Sequence, residues 1–128
     1  HLEHLNETWE MLRELLTEKG MLIVAVPNCS SYDAGRYGEY WAAYDVPRHL
    51  WHFTPVTIQQ LASRHGFIMA ARHPMPFDAF YVSMLSEKHR GSSCSFLKGM
   101  YAGTLAWFST LGRKERSSSM IYVFRKKR

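Results

Sequence analysis

Cysteine is scarce in this 128-residue chain: Cys29 and Cys94 are the only two, they are not in CxxC spacing, and no further framework cysteines accompany them. That excludes a disulfide scaffold, and two unpaired thiols fit a reducing cytoplasm, the expected location. There is no basic segment followed by an apolar run at the start, where "HLEHLNETWE" is polar and acidic, so no signal peptide is expected. Position 1 is not methionine, as a fragment would begin. No stretch supplies the roughly 20 apolar residues of a membrane span, since Lys98 and Arg113 enclose too few. No internal repeat is visible. What is present is 46% hydrophobic and 14% aromatic residues, the composition of one globular domain and not of a disordered chain. The formal charge of +5 is concentrated, with Arg113, Lys114, Arg116, Arg125, Lys126, Lys127 and Arg128 all in the last sixteen residues. A basic tail accounts for the surplus, and no nucleic-acid partner is expected.

Hydrophobic spacing orders the elements. Leu5, Trp9, Leu12 and Leu16 share one face of a helix that Asn6 can cap, Leu15 widens the stripe, and Gly20 supplies the stop. "MLIVAVP" has six apolar residues without alternation, which predicts a strand buried on both faces, as in a parallel sheet. Residues 27–54 form a polar, Gly- and Tyr-rich loop too long to be a mere connector. Thr54 followed by Pro55 opens a helix carrying Ile58, Leu61, Ala62 and His65, ended by Gly66. "FIMAAR" is a strand that Pro74 and Pro76 break, and residues 77–89 read as a helix with Phe80, Met84 and Tyr81 inward. Residues 91–95 are a linker, Phe96 to Leu111 a second apolar helix, and "SSSMIYVFRKK" a closing strand. The alternation is α/β.

In open α/β sheets, ligands collect outside the carboxyl ends of the parallel strands, and the loop containing "PRHLWHFTP" leaves that end of "MLIVAV". Arg48 can clamp a carboxylate or phosphate through its planar fork. His49 and His52 carry imidazoles that can take a proton from an acceptor atom, which makes them the candidate catalytic bases. Tyr40, Trp41, Trp51 and Phe53 can wall a pocket and exclude water. The structural alternative for each residue is plainer. Pro47 and Pro55 then fix the two ends of the loop, Trp51 and Phe53 fill core, and His52 bonds a backbone carbonyl.

"HLEHL", a helix, "KGMLIVAVPN" and then "YGEYWAAYDVPRHLWHFTPVTIQQLASRHGF" together resemble the C-terminal half of a class I S-adenosylmethionine-dependent methyltransferase of the bacterial, ubiquinone-biosynthesis-like branch. The resemblance covers nearly the whole chain and is most specific over residues 1–67. It implies a Rossmann-like sheet of strands five to seven with flanking helices. The seventh strand would insert antiparallel between the fifth and sixth. It also implies S-adenosylmethionine as cofactor, with His1, Leu2, Glu3 and His4 lining its methionine side, and "PRHLWHFTP" facing the methyl acceptor, a small molecule or glycan. The family's Gly-rich cofactor loop, E/D-x-G-x-G-x-G, does not occur in these residues, so the chain is expected to be a partial domain, inactive alone, of a parent enzyme. Glu3 and His4, with His49 or His52, echo the magnesium site of small-RNA 3′-end methyltransferases. Mg²⁺ prefers oxygen ligands, and no metal is expected.

Gly99 and Gly103 make a GxxxG inside "KGMYAGTLAWFSTLG". The expectation is a buried helix covering the sheet. An interfacial helix is the alternative, because Trp107 and Phe108 sit near Arg113 and Lys114, but a membrane surface is not the expected partner. The fifth strand, without a fourth to pair with, would be an exposed edge through which the isolated chain self-associates. The competing functional class is a non-catalytic truncated α/β module whose basic tail meets a membrane surface or partner chain.

Overall fold

The computed structural model describes residues 3–128, and the cofactor contacts expected of His1 and Leu2 lie outside the described residues. Helix α1 spans Leu5–Leu15 and buries Trp9, which stands edge-on to Phe67 and Phe124 with ring centroids 5.5 Å apart. Its cap differs from expectation. His4 holds the N-cap position, its carbonyl accepting from the backbone N–H and hydroxyl of Thr8, while Asn6 Oδ1 lies 3.0 Å from His65 Nε2 and so ties α1 to the end of the helix over Pro55–Arg64. Leu15 projects into solvent instead of widening the buried stripe.

Three strands follow: β1 Leu22–Pro27, β2 Phe67–Met75 and β3 Ser119–Lys126. Their order is β1-β3-β2 with β3 antiparallel to both neighbours, so β1 and β2 run in the same direction on either side of it. The register pairs Val24 with Tyr122 and Arg72 with Tyr122, and β2 shifts by a residue between Met69 and Ala71. This is the α/β class expected, with the last strand inserted in the middle. Proline did not break β2, which continues through Pro74 to Met75. It is an edge strand, where a missing N–H costs least.

Helix α3, Pro55–Arg64, starts as expected: Thr54 and Thr57 form a reciprocal capping box with Pro55 in the first turn. Together α1 and α3 cover one face of the sheet, burying Met120, Tyr122, Phe124 and Phe67 against Trp9, Ile58 and Ala62. The other face of β1 is open. Burial alternates along the strand, and Met21, Ile23 and Ala25 are exposed, Ile23 by 65%. The expectation of a strand buried on both faces therefore fails for the described residues. An apolar, lysine-free edge strand templates pairing. Self-association through β1 is the expected result, read as concentration-dependent mass in light scattering. Ile23→Lys should abolish it without unfolding the chain, and a wild-type chain that stays monomeric at high concentration would rule it out.

Helices α4, Asp78–His89, and α5, Ser95–Gly112, form an antiparallel hairpin across the short turn that contains residues 91–94. The GxxxG explains the closeness of their contact. A Cβ added at Gly99 would lie 2.5 Å from Met84 Cα, and one at Gly103 would lie 2.8 Å from Phe80 Cα. Phe80 and Met84 thus face inward as expected, whereas Tyr81 is solvent-exposed. The hairpin packs beside the sheet against helix α2, Tyr32–Tyr37, and the turn before β3, so α5 does not cover the sheet as expected. Gly99→Val should cost about 1–3 kcal/mol in chemical denaturation through overpacking. Gly112→Ala, where nothing lies within 4 Å, should be close to neutral.

The basic tail is also reshaped by folding. Arg113, Lys114 and Arg116 precede β3, Arg125 and Lys126 end it, and Lys127 and Arg128 follow it. The two groups are held roughly 25 Å apart by the eight-residue central strand.

Candidate functional site

The segment leaving β1 is pinned at once. Asn28 is buried, and its side-chain amide donates to the carbonyls of Glu115 (2.7 Å) and Ser117 (3.0 Å), while its Oδ1 accepts from Ser30. Cys29 N–H donates to Phe53 O at 3.0 Å, so the far end of the loop returns beside the carboxyl end of β1. Ser31 caps α2, and the loop then makes two short helical turns at Gly38–Tyr40 and Ala42–Tyr44. Asp45 follows in the left-handed region at φ 42°, a conformation aspartate tolerates.

Asp33 anchors this segment. It is fully buried, and its Oδ2 accepts from Trp41 Nε1 at 2.8 Å and from Ser118 Oγ at 2.6 Å. One carboxylate therefore fixes the loop to the start of β3. Trp41, held in this way, meets the Tyr44 ring edge-on at 5.0 Å, and Tyr44 meets His52 in the same manner at 5.0 Å. On the other side, Tyr37 O–H donates to buried Glu87 of α4 at 3.1 Å. Burial first, and the Glu87 carboxylate second, push the Tyr37 pKa up to about 12, so this phenol stays protonated as a structural donor.

Both candidate bases are oriented by backbone. His49 Nδ1 lies 3.2 Å from Ala43 O and His52 Nε2 lies 3.0 Å from Tyr44 O. A carbonyl oxygen only accepts, so each contacting nitrogen carries the hydrogen. In the neutral rings, Nε2 of His49 and Nδ1 of His52 are then the acceptor atoms. His52 does bond a carbonyl, as its structural alternative required, and it keeps a basic nitrogen while doing so.

These residues border an apolar cavity of about 300 Å³ at the carboxyl end of β1. Val26, Pro27 and Cys29 form one side, Trp41 the floor, and His49, Trp51, His52 and Phe53 the loop side. Leu5 of α1 also borders it. His49, His52, Trp41 and Trp51 are thus gathered in one place. Arg48 and Tyr40 are not. Arg48 is 73% exposed with Nη1 4.0 Å from Asp45 Oδ2, outside the cavity lining. Tyr40 turns toward α4, with the Arg90 guanidinium 5.9 Å from its ring. Glu3 is exposed, and exposed His4 has Nδ1 3.7 Å from Glu7 Oε1.

Sequence reasoning missed Asn28, Asp33, Leu5 and Cys29. Only the position of Asn28 directly after a strand hinted at a turn-forming side chain. A lone aspartate in a polar loop reads as solvated, and nothing in the sequence marks Asp33 as buried. Cys29 lines the cavity, but burial pushes its thiol pKa up against a smaller pull from its own backbone N–H, so it is not an activated nucleophile.

A wider depression of about 640 Å³ lies at the opposite end of the sheet, ringed by Glu10, Arg13, Glu14, Glu18, Lys126 and Lys127. It is open and charged on all sides, and none of the loop chemistry reaches it. Among the described residues, no group of three or more His, Cys, Asp or Glu gathers as a metal site, and no helix is long and apolar enough to cross a membrane. No family model matches the chain, and no curated protein matches it.

Proposed function

We propose that this chain is the acceptor-side part of a methyltransferase that moves the methyl group of S-adenosylmethionine to a small-molecule or glycan acceptor. The observation that carries the reading is the cavity at the carboxyl end of β1, where Leu5 of "HLEHL" meets the histidines and tryptophans of "PRHLWHF". Two segments that the resemblance assigns to cofactor and acceptor thus border the same space. In this reading the sulfonium approaches from the Leu5 side, the acceptor rests against Trp41 and Trp51, and His49 removes the acceptor proton through Nε2. Catalysis is chiefly in-line positioning, with proton removal second.

The uncovered side of β1 supports the same reading. A strand with an apolar outer face and an unpaired edge, among the described strands, belongs in a larger sheet with helices on both sides. The upstream portion would supply that layer and the Gly-rich turn that grips the cofactor. Reading the coding sequence upstream of residue 1 tests this directly. A strand followed by a Gly-rich turn is expected, and an upstream region without one would overturn the proposal.

A further inference from the structure

The outer side of α5 is apolar where it faces water. Its inner face is built of small residues, with Gly99, Ala102, Gly103, Ala106 and Thr110 buried against the rest of the molecule. On the opposite side Leu97, Tyr101, Phe108 and Leu111 follow one another at helical spacing and are all exposed, Leu97 by 69% and Leu111 by 67%. No charged residue occurs between Lys98 and Arg113. A helix that is apolar all round is at home when surrounded, and this one is covered on one side only. Single exposed apolar residues are ordinary, but a stripe from Leu97 to Leu111, broken only by Thr104, marks a contact surface.

The charges around the stripe say what it contacts. Residues 88–116 contain six lysines and arginines and one acidic residue, Glu115, which pairs with Arg72. The cations stand at both ends of α5: Lys88, Arg90 and Lys98 at the hairpin turn, and Arg113, Lys114 and Arg116 beyond the helix. At the turn, Arg36, Arg90, Lys98 and Tyr101 line a depression of about 490 Å³ that also includes Ser92 and Glu87. Glu87 is engaged there by the Tyr37 hydroxyl, whereas Ser92 Oγ is buried with no hydrogen-bond partner among the described residues.

We propose that the α4–α5 hairpin is a membrane-docking face. In this arrangement α5 lies in the interfacial layer of an anionic phospholipid surface, and a phosphate headgroup sits in the depression lined by Arg36, Arg90 and Lys98. An apolar stripe gives the insertion, cations at its ends meet the headgroups, and Trp107 supplies the aromatic ring favoured at that depth. The helix, about 27 Å long, lies along the surface instead of crossing it. A second copy of the chain fits this face poorly. Packed antiparallel, two α5 helices would bring Lys98 of each beside Arg113 and Lys114 of the other, and packed parallel they would oppose identical cations. The proposal does not depend on methyl transfer and can fail or stand separately from it.

The test is co-sedimentation of the whole 128-residue chain with vesicles of phosphatidylcholine alone, or with about a third phosphatidylglycerol, at low and high salt. Binding to the anionic vesicles should be at least about tenfold stronger, with the difference shrinking as salt rises. Leu97→Glu with Phe108→Glu should abolish binding to both compositions, and Leu111→Glu alone should weaken it, with circular dichroism confirming the fold. Arg90→Gln with Lys98→Gln should lower binding to anionic vesicles about tenfold and leave phosphatidylcholine binding unchanged. Absence of vesicle binding, or full binding by the folded glutamate variants, overturns the proposal. So does a dimer that the glutamate variants dissociate while vesicles are ignored, which would make the face a self-association interface.

Discussion

His49→Ala in the full-length parent is expected to lower kcat about a hundredfold or more while leaving S-adenosylhomocysteine affinity nearly unchanged. The expectation follows from the ring's orientation. Ala43 O fixes Nδ1 as the donor, so the acceptor nitrogen of the neutral imidazole is Nε2, on a residue that lines the cavity. Alanine removes the base and keeps the apolar walls. Arg48→Ala is the informative comparison. Arg48 is exposed outside the cavity lining, with its charge near Asp45, so in the proposed reading it would act on acceptor capture and not on the chemical step, and its removal should raise KM about tenfold with a smaller change in kcat. Steady-state kinetics of both variants, paired with thermal unfolding, separate the cases. If both variants lose folding stability equally and retain normal activity per folded molecule, the loop is structural and the histidine is no base.

The elements were legible where local physics decides them. Thr54-Pro55 specifies a helix start through hydrogen bonds that close within four residues, and the structure has that box. The Leu5/Trp9/Leu12/Leu16 stripe specified α1 for the same reason. Legibility failed where the outcome depends on a partner element. Pro74 stays in β2 because that strand is an edge, a fact about sheet order and not about its own residues. Asn6 gave up capping because His65, far along the chain, reaches its side chain. "MLIVAV" reads as doubly buried because its composition is suited to that, yet the described residues cover only one face. In the candidate site, the aromatic and histidine content of "PRHLWHFTP" was visible, but its support was not. Asp33, Asn28 and Glu87 are polar residues engaged by partners far along the chain, Asp33 and Asn28 by the segment just before β3 and Glu87 by α2.

The isolated 128-residue chain is expected to bind S-adenosylmethionine no more tightly than millimolar, even though it holds the cavity. Class I enzymes of the family it resembles hold the cofactor through backbone N–H groups of a Gly-rich turn and a carboxylate on the ribose hydroxyls. Neither occurs in this sequence as a recognisable motif. The described cavity offers apolar walls, two histidines and the edge of α1, which suits the acceptor and the methyl end but gives no anchor for a ribose or adenine. Charge-assisted hydrogen bonds are worth about 1.5–3 kcal/mol each, so the ribose contact alone accounts for one to two powers of ten in affinity. In the proposed reading that turn belongs to the upstream portion, and without it bound cofactor would lie open to water. Calorimetric titration with S-adenosylhomocysteine, comparing this chain with the full-length parent, reads the difference directly. Micromolar binding by the parent with no heat from the chain is the expected pair. A micromolar dissociation constant for the chain alone would place a complete cofactor site within residues 1–128 and sink the division of labour proposed between the two halves.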